Sequence, residues 1–256
     1  MSELAEQYRL GIADCCRQLR LSSNLAERAM TQDGICNQDF LLCLLQNEVS
    51  YRRKKRISQL LNTAGFPQRY SFDKFNAAEV QFPSDITPEA LMKLDFARER
   101  KNVIMYGGTG TGKTMLSICL GIAACEKEIP VRFFRTAALV NLLSEAKSRG
   151  ELSKTLKKLS KAEILILDEV GYVPYDRTGS QLLFDYLSEI HEHKSLILNT
   201  NLEFSRWVNI FYDEQMTAAL VGRIMHHCHL ILFPGSNNRL RESSVQNAFN
   251  HKEVDD

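Results

Sequence analysis

One glycine-rich stretch, Gly107 to Thr114, constrains this chain more than any other part of its sequence. It reads Gly-Gly-Thr-Gly-Thr-Gly-Lys-Thr and has every fixed position of the phosphate-binding loop G-x-x-x-x-G-K-[ST]. An apolar run, 103–106, precedes it, and 115–124 follows with apolar residues at helical spacing. The loop is therefore predicted to join a buried strand to a helix, the setting in which such loops bind phosphate groups. A glycine-rich turn that binds nothing is the competing interpretation.

The chemistry of phosphate binding explains the residue types found in this loop. Glycines let backbone N–H groups converge on phosphate oxygens, and the start of the helix adds the positive end of its dipole. Lys113 is predicted to reach the β- and γ-phosphates of ATP, and the Thr114 hydroxyl to ligate Mg²⁺. The predicted nucleotide-binding residues are Gly107, Gly108, Thr109, Gly110, Thr111, Gly112, Lys113 and Thr114.

A second motif places two adjacent carboxylates after an apolar run. Residues 164–167 read as a buried strand, and Asp168 and Glu169 follow directly. Such a strand delivers its acids to the edge of the sheet where the phosphates lie. Asp168 is predicted to hold Mg²⁺ and Glu169 to polarise the attacking water. Alone, the motif also fits an ordinary strand end, and a small-molecule kinase is a rival, but the adjacent glutamate favours a hydrolase.

The sequence beyond Leu91 alternates short apolar runs with amphipathic runs. This alternation is typical of strands joined by crossover helices and predicts an α/β fold with a five-stranded, doubly wound parallel sheet. The predicted strands are 102–106, 131–135, 164–167, 195–200 and 229–233. The predicted helices are 113–127, 136–149, 179–193 and 213–227, with a basic amphipathic segment at 151–161.

Composition divides the chain into four parts. Residues 1–66 carry apolar stripes at helical spacing, interrupted near Gly34, and predict a small helical domain. Residues 67–90 contain three prolines and little periodicity, and are predicted to be a linker. The nucleotide domain is predicted at 91–242 and a polar tail at 243–256.

The helical domain contains a run of five consecutive cations. Net charge is only +1, from 32 Lys and Arg against 31 Asp and Glu, so any nucleic-acid affinity must come from local clustering. Five like charges along a helix repel one another, and a counter-anion such as the DNA backbone is expected nearby. A solvated helix face is the alternative. The predicted DNA-binding residues are Arg52, Arg53, Lys54, Lys55 and Arg56.

Composition also indicates the cellular compartment in which the protein is expected. The seven cysteines form no C-x-x-C pair, which argues against a disulfide framework and favours a reducing, cytoplasmic location. No apolar run approaches the about 18 residues of a membrane span, so no membrane partner is expected. The cluster at 226–229 contains three histidines and a cysteine, but adjacent ligands on a helix diverge, so zinc is not expected there.

Longer strings within 95–242 resemble the IstB-type AAA+ ATPases, which assist insertion-sequence transposases and are related to DnaC helicase loaders. The Gly-Tyr-x-Pro-x-Asp-Arg and Arg-x-x-His-His patterns are far more specific than the phosphate loop, and three strings carry the resemblance beside that loop. They are Leu167-Asp-Glu-Val-Gly-Tyr-Val-Pro-Tyr-Asp-Arg177, Leu198-Asn-Thr-Asn201 with Phe204-Ser-Arg-Trp207, and Ala218-Ala-Leu-Val-Gly-Arg-Ile-Met-His-His-Cys-His229. The sensor strand departs from the usual pattern, because it reads Asn199-Thr-Asn201 where the family has Thr-Thr-Asn.

The resemblance implies an AAA+ ATPase that oligomerises through shared ATP sites, binds double-stranded DNA and serves a transposase. It implies that Asn201 is the sensor residue orienting the lytic water and that Arg223 is the arginine finger of a neighbouring subunit. From the residues alone, Asn201 could instead cap a turn, and an arginine late in a helix such as Arg223 is more often a surface ion-pair partner. A helicase loader of the DnaC type is the alternative function. Whether Arg239 or Arg241 senses nucleotide is left open.

Overall fold

The structure, a computed structural model, describes most of the chain. The described residues are 3–35, 37–84, 86–172 and 175–235. The predicted tail at 243–256, together with Arg239 and Arg241, lies outside these ranges. Among the helices that are described, none combines the length and the apolar character needed to cross a membrane.

The chain forms two compact units, Met1–Gln59 and Leu60–Asp256. The first unit is helical, as predicted, and contains α1 (Glu3–Gln18), α2 (Leu25–Ala29) and most of α3 (Asn37–Ala64). Its small buried core includes Cys16, Leu25 and Leu44. The basic run lies in the middle of α3, a helix of 28 residues.

The second unit is built on five parallel strands. They are β1 (Asn102–Gly107), β2 (Val131–Arg135), β3 (Ile164–Val170), β4 (Ser195–Thr200) and β5 (Cys228–Phe233). Their order across the sheet is β2-β3-β4-β1-β5, and every neighbouring pair is parallel. The predicted fold class is confirmed. Because parallel strands end at one edge, the loop after β1 and the acids of β3 come to the same edge of the sheet.

Helices bury both faces of this sheet. They are α4 (Pro88–Met92), α5 (Asp95–Arg98), α6 (Lys113–Glu126), α7 (Thr136–Ser148), α8 (Leu152–Leu159), α9 (Arg177–Ile190), α10 (Val208–Phe211) and α11 (Glu214–His226). Side chains alternate between two cores along each strand. Leu165 and Leu167 of β3 share a core with α7 and α9, whereas Ile164 and Ile166 share the other with α6. Burial on both sides explains why the strands read as continuous apolar runs.

The segment predicted as a linker, 67–90, lies within the second unit and packs along part of its length against β5. Phe75 meets Phe233 of β5 edge-on, with ring centroids 6.5 Å apart. Gln81 forms an antiparallel bridge to Leu232, with backbone hydrogen bonds of 2.9 and 3.0 Å. These contacts join single residues distant in sequence, so no local periodicity could predict them.

Candidate nucleotide-binding site

The glycine-rich loop between β1 and α6 has a backbone suited to a close-fitting phosphate. Gly107 has a φ of 154° and Gly112, at the N-cap of α6, a φ of 104°. A Cβ atom at Gly107 would lie 2.2 Å from the carbonyl oxygen of Phe233, so only glycine lets β5 approach this closely. Free N–H groups and the positive dipole end at the start of α6 favour an anion here.

The residues predicted to bind phosphate differ in exposure and in the hydrogen bonds that they make. Gly108 and Thr109 are exposed, whereas Thr111 is buried and donates a hydrogen bond to the Gly108 carbonyl at 2.8 Å. Lys113 is the first residue of α6, and its Nζ donates to the carbonyls of Gly107, at 2.8 Å, and Gly108. The ammonium group is therefore held over the loop, within reach of a phosphate bound there.

A buried carboxylate joins the loop to the neighbouring strands. Asp168 is only 5% exposed, and the Thr114 hydroxyl lies 3.1 Å from both of its carboxylate oxygens. The side-chain N–H of Asn199 donates to Asp168 Oδ1 at 2.9 Å. Mg²⁺ prefers hard oxygen ligands and is bound by one or two side chains together with phosphates and waters. The hydroxyl of Thr114 and the carboxylate of Asp168 fit this description, and their binding of Mg²⁺ stays a prediction.

Glu169 takes an unusual backbone conformation at the end of β3. Its φ is 58°, in the left-handed region, and the pairing of β3 with β4 shifts register between Leu167 and Val170. Glu169 is exposed, and its Oε2 lies 3.7 Å from Nε of Arg135, the last residue of β2. Its carboxylate is accordingly open to solvent at the sheet edge, where the phosphate loop also lies.

The structure distinguishes two asparagines that the sequence places two residues apart. Asn201, predicted to be the sensor, follows the end of β4 and is exposed. Asn199 lies within β4, is 1% exposed, and contacts Asp168. Ser117 of α6 donates to Asn199 Oδ1 at 2.8 Å, so α6, β3 and β4 meet at this amide. Sequence reasoning noted Asn199 only as a departure from the family pattern, although a polar residue ending an apolar strand could have marked it.

Arg223 lies on an anchored helix. It is exposed in the last turn of α11. The next residue, Ile224, accepts a 3.0 Å hydrogen bond through its carbonyl from buried Asn102 of β1, whose Oδ1 accepts from the Leu196 N–H at 3.0 Å. Burial lowers the pKa of His191, and the positive charge of Arg223 lowers it further, against the opposing charge of Glu192. The role of Arg223 as a finger acting on a neighbouring subunit stays a prediction.

The five cations predicted to bind DNA are not equivalent in the first unit. Arg52 donates to Glu48 at 2.7 Å and to the carbonyl of Arg20, and Glu48 is only 3% exposed. Glu48 also accepts the Ser22 N–H at 2.9 Å. Arg52 therefore neutralises a buried carboxylate and supports the local fold. Arg52 is itself exposed, as are the other four predicted DNA-binding residues on α3: Arg53, Lys54, Lys55 and Arg56.

Solved structures share the architecture of a large part of this chain. DnaA from Aquifex aeolicus bound to AMPPCP is similar at a TM-score of 0.54 and 16% identity, over 73% of this chain and 56% of that one. A DnaC helicase loader is similar at a TM-score of 0.50 and 20% identity, over 68% of this chain and 98% of that one. At these identities the likeness shows the fold, which is that of the AAA+ P-loop proteins.

Sequence comparison extends over nearly the whole chain. A protein of Geobacillus stearothermophilus named for ATP binding and for insertion sequence IS5376 is 30% identical over 241 residues, covering 92% of this chain and 96% of its own. One of Pseudomonas aeruginosa named for insertion sequence IS21 is 32% identical over 205 residues, covering 80% and 77%. The family model described as "IstB-like ATP binding protein" matches residues 16–246. The chain belongs to this family of IstB-like ATP-binding proteins.

Proposed function

We propose that this chain hydrolyses ATP and uses ATP binding to assemble on duplex DNA in the cytoplasm, where it presents remodelled target DNA to a transposase. The observation that carries the proposal is the contact of Asp168 with Thr114 beside an intact phosphate loop. Relatives named for insertion sequences favour transposition over helicase loading. The DnaC helicase loader shares the fold at 20% identity, which does not discriminate between the two functions.

The proposed chemistry assigns one task to each part of the site. The loop N–H groups and Lys113 bind the β- and γ-phosphates, while Thr114 and Asp168 hold Mg²⁺. Mg²⁺ supplies neutralisation of the phosphate charge. Glu169 accepts a proton from the water that attacks the γ-phosphate, and its exposed position at the sheet edge leaves room for that water. Asn201 orients the same water.

Assembly follows from a site that is shared between subunits. If Arg223 of one subunit stabilises the transferring phosphate in the next, full activity requires two chains in contact. The anchored position of α11 suits such a role, because Asn102 fixes the helix turn next to Arg223. Nucleotide bound between subunits would then stabilise the assembled state by mass action.

DNA binding is assigned to the part of the basic run in α3 that follows Arg52, because the Arg52 side chain already pairs with Glu48. Arg53, Lys54 and Lys55 are exposed and consecutive, so their charges surround much of the helix. Contacts from such side chains to phosphates release counterions without reading bases. The proposed binding is therefore strong at low salt and largely independent of DNA sequence.

The proposed ATPase is tested by separating nucleotide binding from hydrolysis. Lys113→Ala should abolish ATP binding and assembly, because Lys113 contacts the phosphates. Glu169→Gln should keep both and lower the hydrolysis rate by about 10²–10⁴-fold, because it removes only the general base. Nucleotide titration, sedimentation and phosphate release measure the three quantities.

Two matched variants control for charge. Lys127 lies just beyond the far end of α6, and Glu163 just before the start of β3. Lys127→Ala and Glu163→Gln should behave like the wild type. Equal loss of ATP affinity in Lys113→Ala and Glu169→Gln would contradict the separate roles assigned to them.

Arg223 is tested by mixing defective subunits. Arg223→Ala should bind ATP but hydrolyse it about 10³–10⁵-fold more slowly, as for other arginine fingers. Adding Lys113→Ala, which supplies an intact Arg223, should restore part of the activity at interfaces that pair the two. Arg206→Ala, at another exposed arginine, serves as the control. If activity does not recover in mixtures shown to co-assemble, the proposal that the ATP site is shared between subunits is contradicted.

The DNA contact is tested by the salt dependence of binding. The triple variant Arg53→Ala, Lys54→Ala, Lys55→Ala spares Arg52 and its buried partner. About two of three consecutive helical side chains can face one duplex, so the slope of log affinity against log salt should flatten by about two units per engaged subunit. An equally charged control replaces three exposed lysines of the second unit, Lys157, Lys158 and Lys161. An unchanged slope in the first variant would contradict the DNA contact and favour the alternative, a solvated helix face.

A further inference from the structure

Adjacent acids at the end of a strand face a geometric conflict. Successive side chains of an extended strand point to opposite faces of the sheet, so Asp168 and Glu169 could not both serve one site in a regular β3. The structure resolves this conflict locally. Glu169 has a φ of 58°, and β3 shifts register against β4 between Leu167 and Val170. Bulges of this kind re-aim a side chain, but the left-handed conformation disfavours glutamate and persists only when its surroundings hold it.

Two buried hydroxyls bond to peptide groups near Glu169, one to the peptide directly before it and one to the peptide that follows Val170. The Thr136 hydroxyl donates to the carbonyl of Asp168 at 2.8 Å, and the Thr200 hydroxyl donates to the carbonyl of Val170 at 2.9 Å. Thr136 is 0% exposed and Thr200 is 1% exposed, so water does not compete for either bond. The residues come from different elements, the start of α7 and the end of β4, and they act from both flanks of β3.

Each hydroxyl is itself fixed by its neighbours. Tyr175 is buried, and its side chain hydrogen-bonds with Thr136; burial raises the pKa of Tyr175 to about 12, against the smaller opposing effect of this bond. The Thr200 oxygen accepts the N–H of Leu202 at 3.0 Å. The carbonyl of Leu202 lies 3.3 Å from the Thr200 hydroxyl as a second, longer acceptor, and the contacts together restrict both threonines, which is what a positioning contact requires.

The same backbone conformation also places the Glu169 carboxylate close to the guanidinium group of Arg135. Arg135 directly precedes Thr136, and its Nε lies 3.7 Å from Glu169 Oε2. A peptide flip that returned Glu169 to the extended region would move its carboxylate away from Arg135 and from the edge shared with Lys113. The backbone conformation of one residue thus decides whether this carboxylate is available to the phosphate site.

We propose that Thr136 and Thr200 are positioning residues that hold Glu169 in its left-handed conformation and so aim its carboxylate at the water that attacks ATP. The proposal rests on the proposed function, since it assumes that Glu169 is the general base. It assigns a catalytic consequence to two buried hydroxyls that donate to backbone carbonyls.

The test removes each hydroxyl while keeping its volume. Thr136→Val and Thr200→Val should each lower the single-turnover rate of ATP hydrolysis by roughly 10- to 100-fold, with ATP affinity unchanged. Thr136→Ser and Thr200→Ser keep the hydroxyl and should retain most of the rate. Ser195→Ala is the control, because Ser195 is equally buried at the other end of β4 and its hydroxyl donates to the carbonyl of Phe96 at 3.2 Å.

A second comparison separates positioning from general destabilisation. In the Glu169→Gln background the valine substitutions should cause little further loss, because the group they aim is already gone. Valine variants with the full rate, or with the same fold-loss in both backgrounds, would overturn the inference while leaving the ATPase intact. A wild-type chain that binds ATP without hydrolysing it would overturn the proposed function and this inference together.

Discussion

The hydrogen bonds to the buried carboxylate of Asp168 organise the second unit's site. Thr114 reaches it from α6 and Asn199 from β4, at 3.1 and 2.9 Å, so three elements distant in sequence meet at two oxygens. A carboxylate that is 5% exposed is stable only when such donors or a cation compensate its charge. The oxygens that accept these hydrogen bonds are also those that the proposed function assigns to Mg²⁺, so a strongly polar site can be built at the end of an apolar strand.

The strand order of the parallel sheet is enough to bring these groups together. With the order β2-β3-β4-β1-β5, β4 lies between the strand that leads to the phosphate loop and the strand that carries the acids. Asn199 therefore lies between the two motifs and contacts both Asp168 and Ser117 of α6. Structural shifts at the phosphate loop or at the end of β3 are therefore expected to affect each other through the contacts of Asn199 in β4. In this account, fold and phosphate chemistry depend on one edge of one sheet.

Sequence reasoning predicted the sheet, its crossover helices and the residues of the phosphate loop, because each follows from local spacing. It did not predict the contacts that depend on tertiary neighbours. Arg52 pairs with Glu48, 4 residues earlier on the same helix, but the burial of Glu48 and its bond to the Ser22 N–H depend on residues distant in sequence. The left-handed φ of Glu169 follows from hydroxyls contributed by α7 and β4 and has no local signal. The packing of 67–90 onto β5 likewise depends on isolated residues such as Gln81.

The central claim is that Thr114 and Asp168 hold the metal of a metal–nucleotide complex, and the dependence of ATP affinity on Mg²⁺ tests it most directly. ATP is titrated with Mg²⁺ and with a chelator, for the wild type and for Asp168→Asn, which keeps the side-chain volume. The account predicts that Mg²⁺ strengthens binding to the wild type, and that this strengthening is lost in Asp168→Asn while affinity without metal is kept. The same Mg²⁺ dependence in both proteins would contradict it.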